Sequence, residues 1–259
     1  MKNTKKNKLG LPLEYSKLSK YFDLLSQDND NDTNRTLEKI LSEYKVKTVL
    51  DLTCGTGSQV FWLTKHGYKV TGADLSPELL MIARDNAQKD KIDITFIEGD
   101  MQTIEVGKFD AVITIFNAVG HLTKAEFEKT LRNICRNLKH GGLYIFDIFN
   151  LDAMTDHAVN NLAMDVRKSV NETHIHHVQK SKLDRDSGLL TSYDEYLIQK
   201  GSQEPKIYKG KFTLQIYTAN ELKEMLSRNG FECLDHYGID GSQFSRMKTQ
   251  NILTVAKKK

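Results

Sequence analysis

The stretch "VLDLTCGTGSQVFWL", from Val49 to Leu63, carries the clearest structural signal in this chain. Its first four residues suit a buried strand, its end follows a helical pattern, and Gly55 and Gly57 lie in the bend between them. Small residues let the backbone of such a bend approach a ligand, and the N–H groups of the following helix face that ligand. The stretch therefore predicts a nucleotide-type site where a strand leads into a helix.

The bend matches neither of the two common phosphate-binding loops. A Gly-x-Gly-x-x-Gly fingerprint would need a third glycine where Val60 stands, and a phosphate loop would need Gly-Lys-Ser or Gly-Lys-Thr. Asp51, at the end of the first predicted strand, disfavours a pyrophosphate and suits an ammonium group or a hydroxyl. Both observations favour a ligand without phosphate.

Acidic residues also end the next two predicted strands, "YKVTGAD" at Asp74 and "IDITFIEGD" at Asp100. A carboxylate in the place of Asp74 can accept hydrogen bonds from both ribose hydroxyls, and Asp100 could receive an adenine amino group. One such aspartate is often only a turn former or a helix cap. Three on successive strands, beside a glycine bend, favour a nucleoside site, and S-adenosylmethionine fits it because it is ribosyl, aminated and free of phosphate.

Predicted strands and helices alternate from Val46 to Asn150, including the later strands "FDAVITIF" and "LYIFDIF". Apolar strands separated by helices predict a parallel sheet that is covered on both faces. Ser76 is expected to cap the helix after the second strand, and the long helix "KAEFEKTLRNICRNLK" is expected to end at His140-Gly141-Gly142.

The pattern changes between about Val170 and Tyr217, where strand-like segments are joined by turns. This region predicts an antiparallel β-meander inserted into the α/β domain. A helix capped by Thr218 and two closing strands follow. We expect the insertion to shape the acceptor pocket and to offer an outer apolar face for a homodimer, with the residues Tyr193, Tyr196, Leu197 and Ile198.

The N-terminal region predicts two helices around the polar loop "SQDNDNDTN" (Ser26–Asn34). The first helix has one face formed by Tyr15, Leu18, Phe22 and Leu25. We expect residues 1–45 to form a helical lid in which Tyr15 and Tyr21 close over a cofactor, although simple helix packing would account for both tyrosines as well. Residues 46–169 and 218–259 would then form the α/β domain, and residues 170–217 the insertion.

The composition excludes several classes of protein. The chain has 259 residues and a net charge of +3, with much of the excess in its lysine-rich ends, which predicts solvated tails rather than a nucleic-acid site. Its three cysteines have no metal-ligand spacing, and their odd number argues against a disulfide framework. No apolar run approaches the ~18 residues of a membrane span, and no signal peptide is evident. We therefore expect a cytoplasmic protein with reduced thiols and no membrane partner.

The sequence resembles the class I S-adenosylmethionine-dependent methyltransferases. The resemblance lies in "VLDLTCGTG", "VTGADLSPELLMIAR", "FIEGDMQ", "FDAVITIFNAVGHL" and "LKHGGLYIFDIFN", and it spans roughly Val46 to Asn150 and the last forty residues. It implies a doubly wound Rossmann-like fold with seven mostly parallel strands in the order 3-2-1-4-5-7-6. It also implies S-adenosylmethionine as cofactor, S-adenosylhomocysteine as product, and no metal.

The resemblance also implies roles for individual residues. The backbone around Thr53, Gly55 and Gly57 would contact the methionine part, where the family often has a glycine in place of Thr53. Asp51 would organise that site and Asp74 would bind the ribose. The remaining cofactor contacts would come from Leu75, Asp100, Met101 and Phe116.

The pattern "FNAVGHL" with an insertion after strand five is closest to small-molecule N-methyltransferases that act on amino-deoxysugars or on glycine and sarcosine. In-line methyl transfer mainly needs an aligned acceptor, and a base helps when the acceptor arrives protonated. The candidates for this role follow strands four and five, and they are Asn117, His121, Asp147 and Asn150. Of these, His121 has the pKa of a proton acceptor, although it could also be a surface histidine beside a helix. We expect His121 to be catalytic, and the residues expected to contact the substrate are Tyr15, Asn117, Asp147 and Asn150.

Two other functions stay open. A nucleic-acid methyltransferase would carry an Asn/Asp-Pro-Pro-Tyr/Phe motif where this chain has "FNAVGH", and its basic residues do not cluster. A cofactor-binding module without catalysis would have its acceptor cavity filled by side chains. The motif "HIHH" (174–177) suggests a metal, but no third ligand is evident nearby.

Overall fold

The computed structural model describes residues 8–25 and 30–259. The lysine-rich start and residues 26–29 of the predicted loop lie outside this description.

The N-terminal segment is not the single helix that its spacing predicts. It consists of two 3₁₀ turns, Leu13–Tyr15 and Ser19–Tyr21, and one turn of helix α1, Phe22–Leu25. The segment lies against a second sheet, where Leu18 is buried with Ile175, and these tertiary contacts replace a regular helix.

Helix α2 (Asp30–Glu43) begins inside the predicted loop. The side chain of Asn34 anchors the second turn of this helix. Its amide accepts a hydrogen bond from Gln59 Nε2 at 2.9 Å and donates one to Ser58 Oγ at 3.2 Å, which holds this turn against the next helix.

The main sheet has seven strands in the order β10-β11-β5-β4-β1-β2-β3, and only β11 runs antiparallel to its neighbours. Read from the other edge, with β10 and β11 as the sixth and seventh strands of this sheet, this order confirms the predicted 3-2-1-4-5-7-6. The strands are β1 (Thr48–Asp51), β2 (Lys69–Asp74), β3 (Thr95–Glu98), β4 (Phe109–Thr114), β5 (Leu138–Phe149), β10 (Phe231–Gly238) and β11 (Asn251–Lys258). The helices between them are α3 (Ser58–Lys65), α4 (Pro77–Asp90), α5 (Lys124–Asn137) and α7 (Ala219–Arg228).

Local signals set most helix starts correctly. Ser76 Oγ accepts the N–H of Leu79 at 3.2 Å, and Thr218 forms a capping box with Glu221. Helix α5 ends earlier than predicted, at Asn137, because strand β5 begins at Leu138 and pairs with Phe109. The residues that were predicted to end the helix therefore form the start of strand β5 instead.

The insertion forms a second, antiparallel sheet in the order β6-β7-β8-β9. Its strands are β6 (Met164–Val170), β7 (Thr173–Asp184), β8 (Leu189–Lys200) and β9 (Lys206–Gln215), and the short helix α6 (Asp156–Asn161) precedes them. The meander therefore begins at Met164, before the predicted Val170, because β6 pairs with β7 over its full length.

Side chains alternate across strand β8, so that one face of the second sheet is buried. Tyr196 and Ile198 lie on that buried face, so the prediction that they belong to an outer apolar face is wrong. Tyr193, in contrast, is 50% exposed. The homodimer stays a prediction. In the described ranges 8–25 and 30–259, no helix is long and apolar enough to cross a membrane.

The inner face of the second sheet lies over the turn that follows β4. The Phe212 ring of β9 is 5.8 Å from the His121 ring, and a Cβ at Gly120 would lie 3.1 Å from Leu214. The N-terminal segment joins this contact, because the Thr213 N–H donates to the carbonyl of Leu9 at 2.7 Å. Both elements therefore cover the carboxyl edge of the main sheet, where ligands of this kind of fold bind.

Candidate functional site

The glycine bend between β1 and α3 has a left-handed backbone at both glycines. Gly55 has φ +52° and Gly57 has φ +101°. Its φ makes glycine the favoured residue at position 57, and a Cβ there would lie 2.6 Å from the Phe61 ring, which would have to shift. A Cβ at Gly55 would meet only ordinary contacts, at 3.9 Å from Phe22 and 4.0 Å from Leu79.

Asp51 lies at the end of β1 and is buried directly below this bend. Its Oδ1 accepts the Thr53 N–H at 3.1 Å, whereas its Oδ2 and the Thr53 hydroxyl are buried and have no hydrogen-bond partner among the described residues. Burial raises the pKa of Asp51 to about 7. The site therefore offers a carboxylate oxygen and a hydroxyl to a ligand that donates hydrogen bonds.

Asp74 lies at the end of β2 and links two turns. One carboxylate oxygen accepts the Gly55 N–H and the other accepts the Ser76 N–H, each at 2.8 Å. Burial raises its pKa. Each oxygen keeps a second lone pair for a ligand hydroxyl, and the neighbouring Leu75 is 54% exposed, as a side chain that covers a ligand ring would be.

The turn after β3 holds the predicted adenine residues. Asp100 Oδ1 accepts the Gln102 N–H at 2.8 Å, so this aspartate shapes its own turn. The carbonyl of Met101 accepts a hydrogen bond from Asn133 Nδ2 at 3.0 Å, and the Met101 side chain contacts the core.

Phe116 and Asn117 follow β4 and are both left-handed, with φ +63° and +57°. Such a conformation costs roughly 1–3 kcal/mol for each residue other than glycine and must be held in place. Asn117 is held twice, because its N–H donates to Asp147 Oδ2 at 3.2 Å and its Oδ1 accepts the Phe149 N–H at 2.8 Å. Phe116 itself is 38% exposed at the edge.

His121 ends the 3₁₀ turn Ala118–His121 and is buried. Its ring lies 5.5 Å from the Tyr15 ring, edge-on, and its Nδ1 has no hydrogen-bond partner in the part of the chain that the structure describes. Burial lowers the pKa of His121 to about 4, so the imidazole is neutral near pH 7. It is not the surface histidine that the sequence left as an alternative.

The N-terminal segment reaches the site through only one of the two expected tyrosines. Tyr15 is adjacent, since the Ser76 hydroxyl donates to its carbonyl at 2.7 Å, and burial raises the pKa of its phenol. Tyr21, however, packs against the second-sheet cluster around Tyr196. Its neighbour Phe22 faces Gly55 instead.

Sequence reasoning missed this role of Phe22 and also a polar contact beside it. The Thr56 hydroxyl in the glycine bend donates to Asp23 Oδ1 at 2.6 Å. No sequence signal links these two residues, because the expected helix would have turned them differently.

Asp147 and Asn150 lie at the end of β5 and differ in what they can offer. Asp147 is fully buried, and its Oδ1 has no hydrogen-bond partner among the described residues. Asn150 donates both amide hydrogens to the carbonyls of Arg246 and Thr249, each at 2.8 Å. Asn150 therefore holds the loop before β11. Only its amide oxygen could contact a substrate as predicted, and that oxygen already accepts the Asp152 N–H.

The histidines of the motif "HIHH" each have a different partner. His174 bonds Ser169, His176 bonds Asp165 and His177 bonds Asp194, at 2.7 to 3.0 Å. Within residues 8–25 and 30–259, no group of three or more acidic, histidine or cysteine side chains could hold a metal ion.

The sequence around this site matches a known protein family. The family described as "Methyltransferase domain" matches residues 49–142, which include the glycine bend and strands β1 to β4. Residues 49–142 are therefore similar to a methyltransferase domain. The family resemblance seen in the motifs is thereby confirmed.

Curated relatives of this methyltransferase domain include a protein of Geobacillus sp. (strain WCH70) with the provisional name methyltransferase. It is 31% identical over 151 residues, which are 56% of this chain and 61% of the relative. The glycine/sarcosine N-methyltransferase of Aphanothece halophytica is 36% identical over 123 residues, which are 46% of each chain. The chain thus spans about half the length of these relatives.

A solved structure extends the likeness beyond the methyltransferase domain. CalS10, an amino pentose methyltransferase from Micromonospora echinaspora, matches with a TM-score of 0.70 and 17% identity over 94% of this chain and 96% of its own. At that identity the likeness establishes the fold, which includes the second sheet. The Rossmann-like fold predicted from the sequence is confirmed.

Proposed function

We propose that this chain is an S-adenosylmethionine-dependent methyltransferase that methylates a small molecule at an amine nitrogen. The observation that carries the proposal is the pair of buried acceptors beside the glycine bend, Asp51 Oδ2 and the Thr53 hydroxyl, without a donor among the described residues. A buried acceptor without a donor costs about 1–3 kcal/mol, so it indicates a ligand that supplies one.

An ammonium group fits these acceptors best. It supplies hydrogen-bond donors as well as the positive charge that a buried carboxylate needs. The methionine ammonium of S-adenosylmethionine would therefore bind at Asp51 and Thr53, and the ribose hydroxyls at Asp74. By the family resemblance, Leu75, Asp100, Met101 and Phe116 would contact the adenosine.

S-adenosylmethionine, when bound, would supply the methyl group on a positively charged sulfur that serves as its leaving group. The chain supplies alignment and a proton acceptor. His121 Nδ1 would take one proton from the acceptor nitrogen and pass it to water later, because a protonated amine has no lone pair for the attack. Burial keeps it neutral near pH 7, and the same lowered pKa makes it a weaker base than a free imidazole.

Two comparisons support an amine acceptor. A glycine/sarcosine N-methyltransferase matches the methyltransferase domain, and an amino pentose methyltransferase matches the fold over nearly the whole chain. Both names describe proteins that act on small amine-bearing molecules.

The test is turnover on a panel of small amines, with S-adenosylhomocysteine measured by mass spectrometry. His121→Gln should lower kcat by roughly 10²- to 10⁴-fold, the usual contribution of a general base, and leave calorimetric affinity for S-adenosylhomocysteine unchanged. The exposed His66, whose ring stacks on Trp62, gives the matched control His66→Gln. Absence of S-adenosylhomocysteine binding would contradict the function, and an unchanged kcat in His121→Gln would remove His121 from the reaction.

A further inference from the structure

A residue of the last strand completes a group of acceptors at Asp147. Asn251 begins β11, and its Nδ2 donates to Asp147 Oδ2 at 3.0 Å. Because a carboxylate only accepts hydrogen bonds, the NH₂ of Asn251 must face Asp147, and this fixes the direction of its Oδ1. Asp147 Oδ1 and Asn251 Oδ1 are both buried without a hydrogen-bond partner among the described residues.

The negative charge of Asp147 also lacks a positive partner. The ion pairs found in the described chain do not include Asp147. Its contacts with Asn251 and with the Asn117 N–H favour the charged form, while burial raises its pKa to about 6. A fully buried anion without a cation is costly, so it indicates a positively charged ligand.

The position of this pair relates it to the proposed chemistry. Asn251 lies opposite Phe149 and Asp147 lies opposite Leu253, so both stand at the carboxyl end of β5. Asp147 also holds the strained turn at Asn117, from which the chain leads directly to His121. The pair therefore shares its sheet edge with Asp51 and with the proposed base.

We infer that Asp147 and Asn251 together bind the amine of the acceptor in its protonated form. The inference rests on the proposed function and names its substrate class as a primary ammonium, whose third N–H is left for His121. Two N–H groups of the ammonium donate to Asp147 Oδ1 and Asn251 Oδ1, and the carboxylate balances its charge. The subsite selects amines over alcohols, because a hydroxyl has one donor and no charge.

The experiment measures this selection by calorimetry on the protein saturated with S-adenosylhomocysteine. Three amines are compared with their hydroxyl counterparts: 2-aminoethanol with ethane-1,2-diol, glycine with glycolate, and glucosamine with glucose. In the wild type at least one amine should bind about tenfold more tightly or better, and Asp147→Asn and Asn251→Leu should each remove that preference. Asn229→Leu, which removes an amide at the end of α7, is the matched control and should retain it.

Asp147→Asn is included because this variant is expected to fold like the wild type. Asparagine keeps the shape of the side chain and an oxygen for the Asn117 N–H, so the turn is retained. No amine preference in the wild type, or a preference that survives in both variants, would overturn the inference.

A second arm asks whether the ammonium belongs to the cofactor instead. S-adenosylhomocysteine and its deaminated analogue are titrated into the same proteins. Loss of affinity for the first alone in Asp147→Asn and Asn251→Leu would overturn the assignment to the acceptor, and unchanged affinity for both supports it. If the wild type binds no S-adenosylhomocysteine, the proposed function fails, and the amine comparison is then decided on the free protein.

Discussion

Replacing Asp51 by asparagine should weaken cofactor binding and remove its dependence on pH. The carboxylate is buried with one oxygen unsatisfied, and burial raises its pKa to about 7. A hydrogen bond to a charged group contributes about 1.5–3 kcal/mol, so the loss of the charged partner should raise the Kd of S-adenosylhomocysteine by roughly 10- to 150-fold.

The pH dependence follows from the sign of the shift. A raised carboxyl pKa means that the free protein keeps the proton up to about pH 7, whereas the ammonium binds the ionised form. Affinity in the wild type should therefore fall as pH is lowered, by about tenfold between pH 8 and pH 6, with nearly one proton released on binding at pH 6. In Asp51→Asn both effects should vanish.

The assay is calorimetry at pH 6 and pH 8 in two buffers with different ionisation enthalpies, which counts the protons released. Asp110→Asn is the matched control, because Asp110 bonds Thr48 and Lys139 at the opposite end of β4. It should bind like the wild type. A folded Asp51→Asn protein with wild-type affinity at both pH values would refute the role of Asp51.

Two further predictions concern the same edge of the sheet. Asp74→Ala should weaken binding of S-adenosylhomocysteine by about 1.5–3 kcal/mol in calorimetry, through loss of a charged ribose contact; unchanged affinity in a folded variant would exclude Asp74 from the site. Gly57→Ala should lower the free energy of unfolding by more than ~1 kcal/mol in urea denaturation, because its φ is +101° and the Phe61 ring lies 2.6 Å from the new Cβ. A Gly67→Ala control has positive φ but open space around it, so equal losses in both variants would show that the Phe61 contact adds nothing.

Much of the fold could be predicted because its signals are local. The run of apolar strands, the capping residues Ser76 and Thr218, and the glycine bend each depend on neighbours within a few residues. The acidic strand ends Asp51 and Asp74 could be located for the same reason, since a strand that is recognised also reveals where it ends. The prediction of a regular N-terminal helix was wrong because the conformation of this segment depends on distant contacts with the second sheet.

Tertiary structure decided the details that give the site its chemistry. The contact of Asn251 with Asp147 joins residues 104 positions apart, and it exists because β11 inserts antiparallel between β5 and β10. The burial that makes His121 neutral comes from Tyr15 and Phe212, which belong to two other elements.

Local backbone preference and the hydrophobic pattern are enough to predict the strand-turn-helix at the glycine bend, the order of elements and the acidic edge. Long-range contacts, by contrast, select the side chains that complete that edge. Burial, and with it the pKa of Asp51, Asp147 and His121, is a property of the surroundings. Those surroundings are assembled from parts of the chain that no local pattern connects.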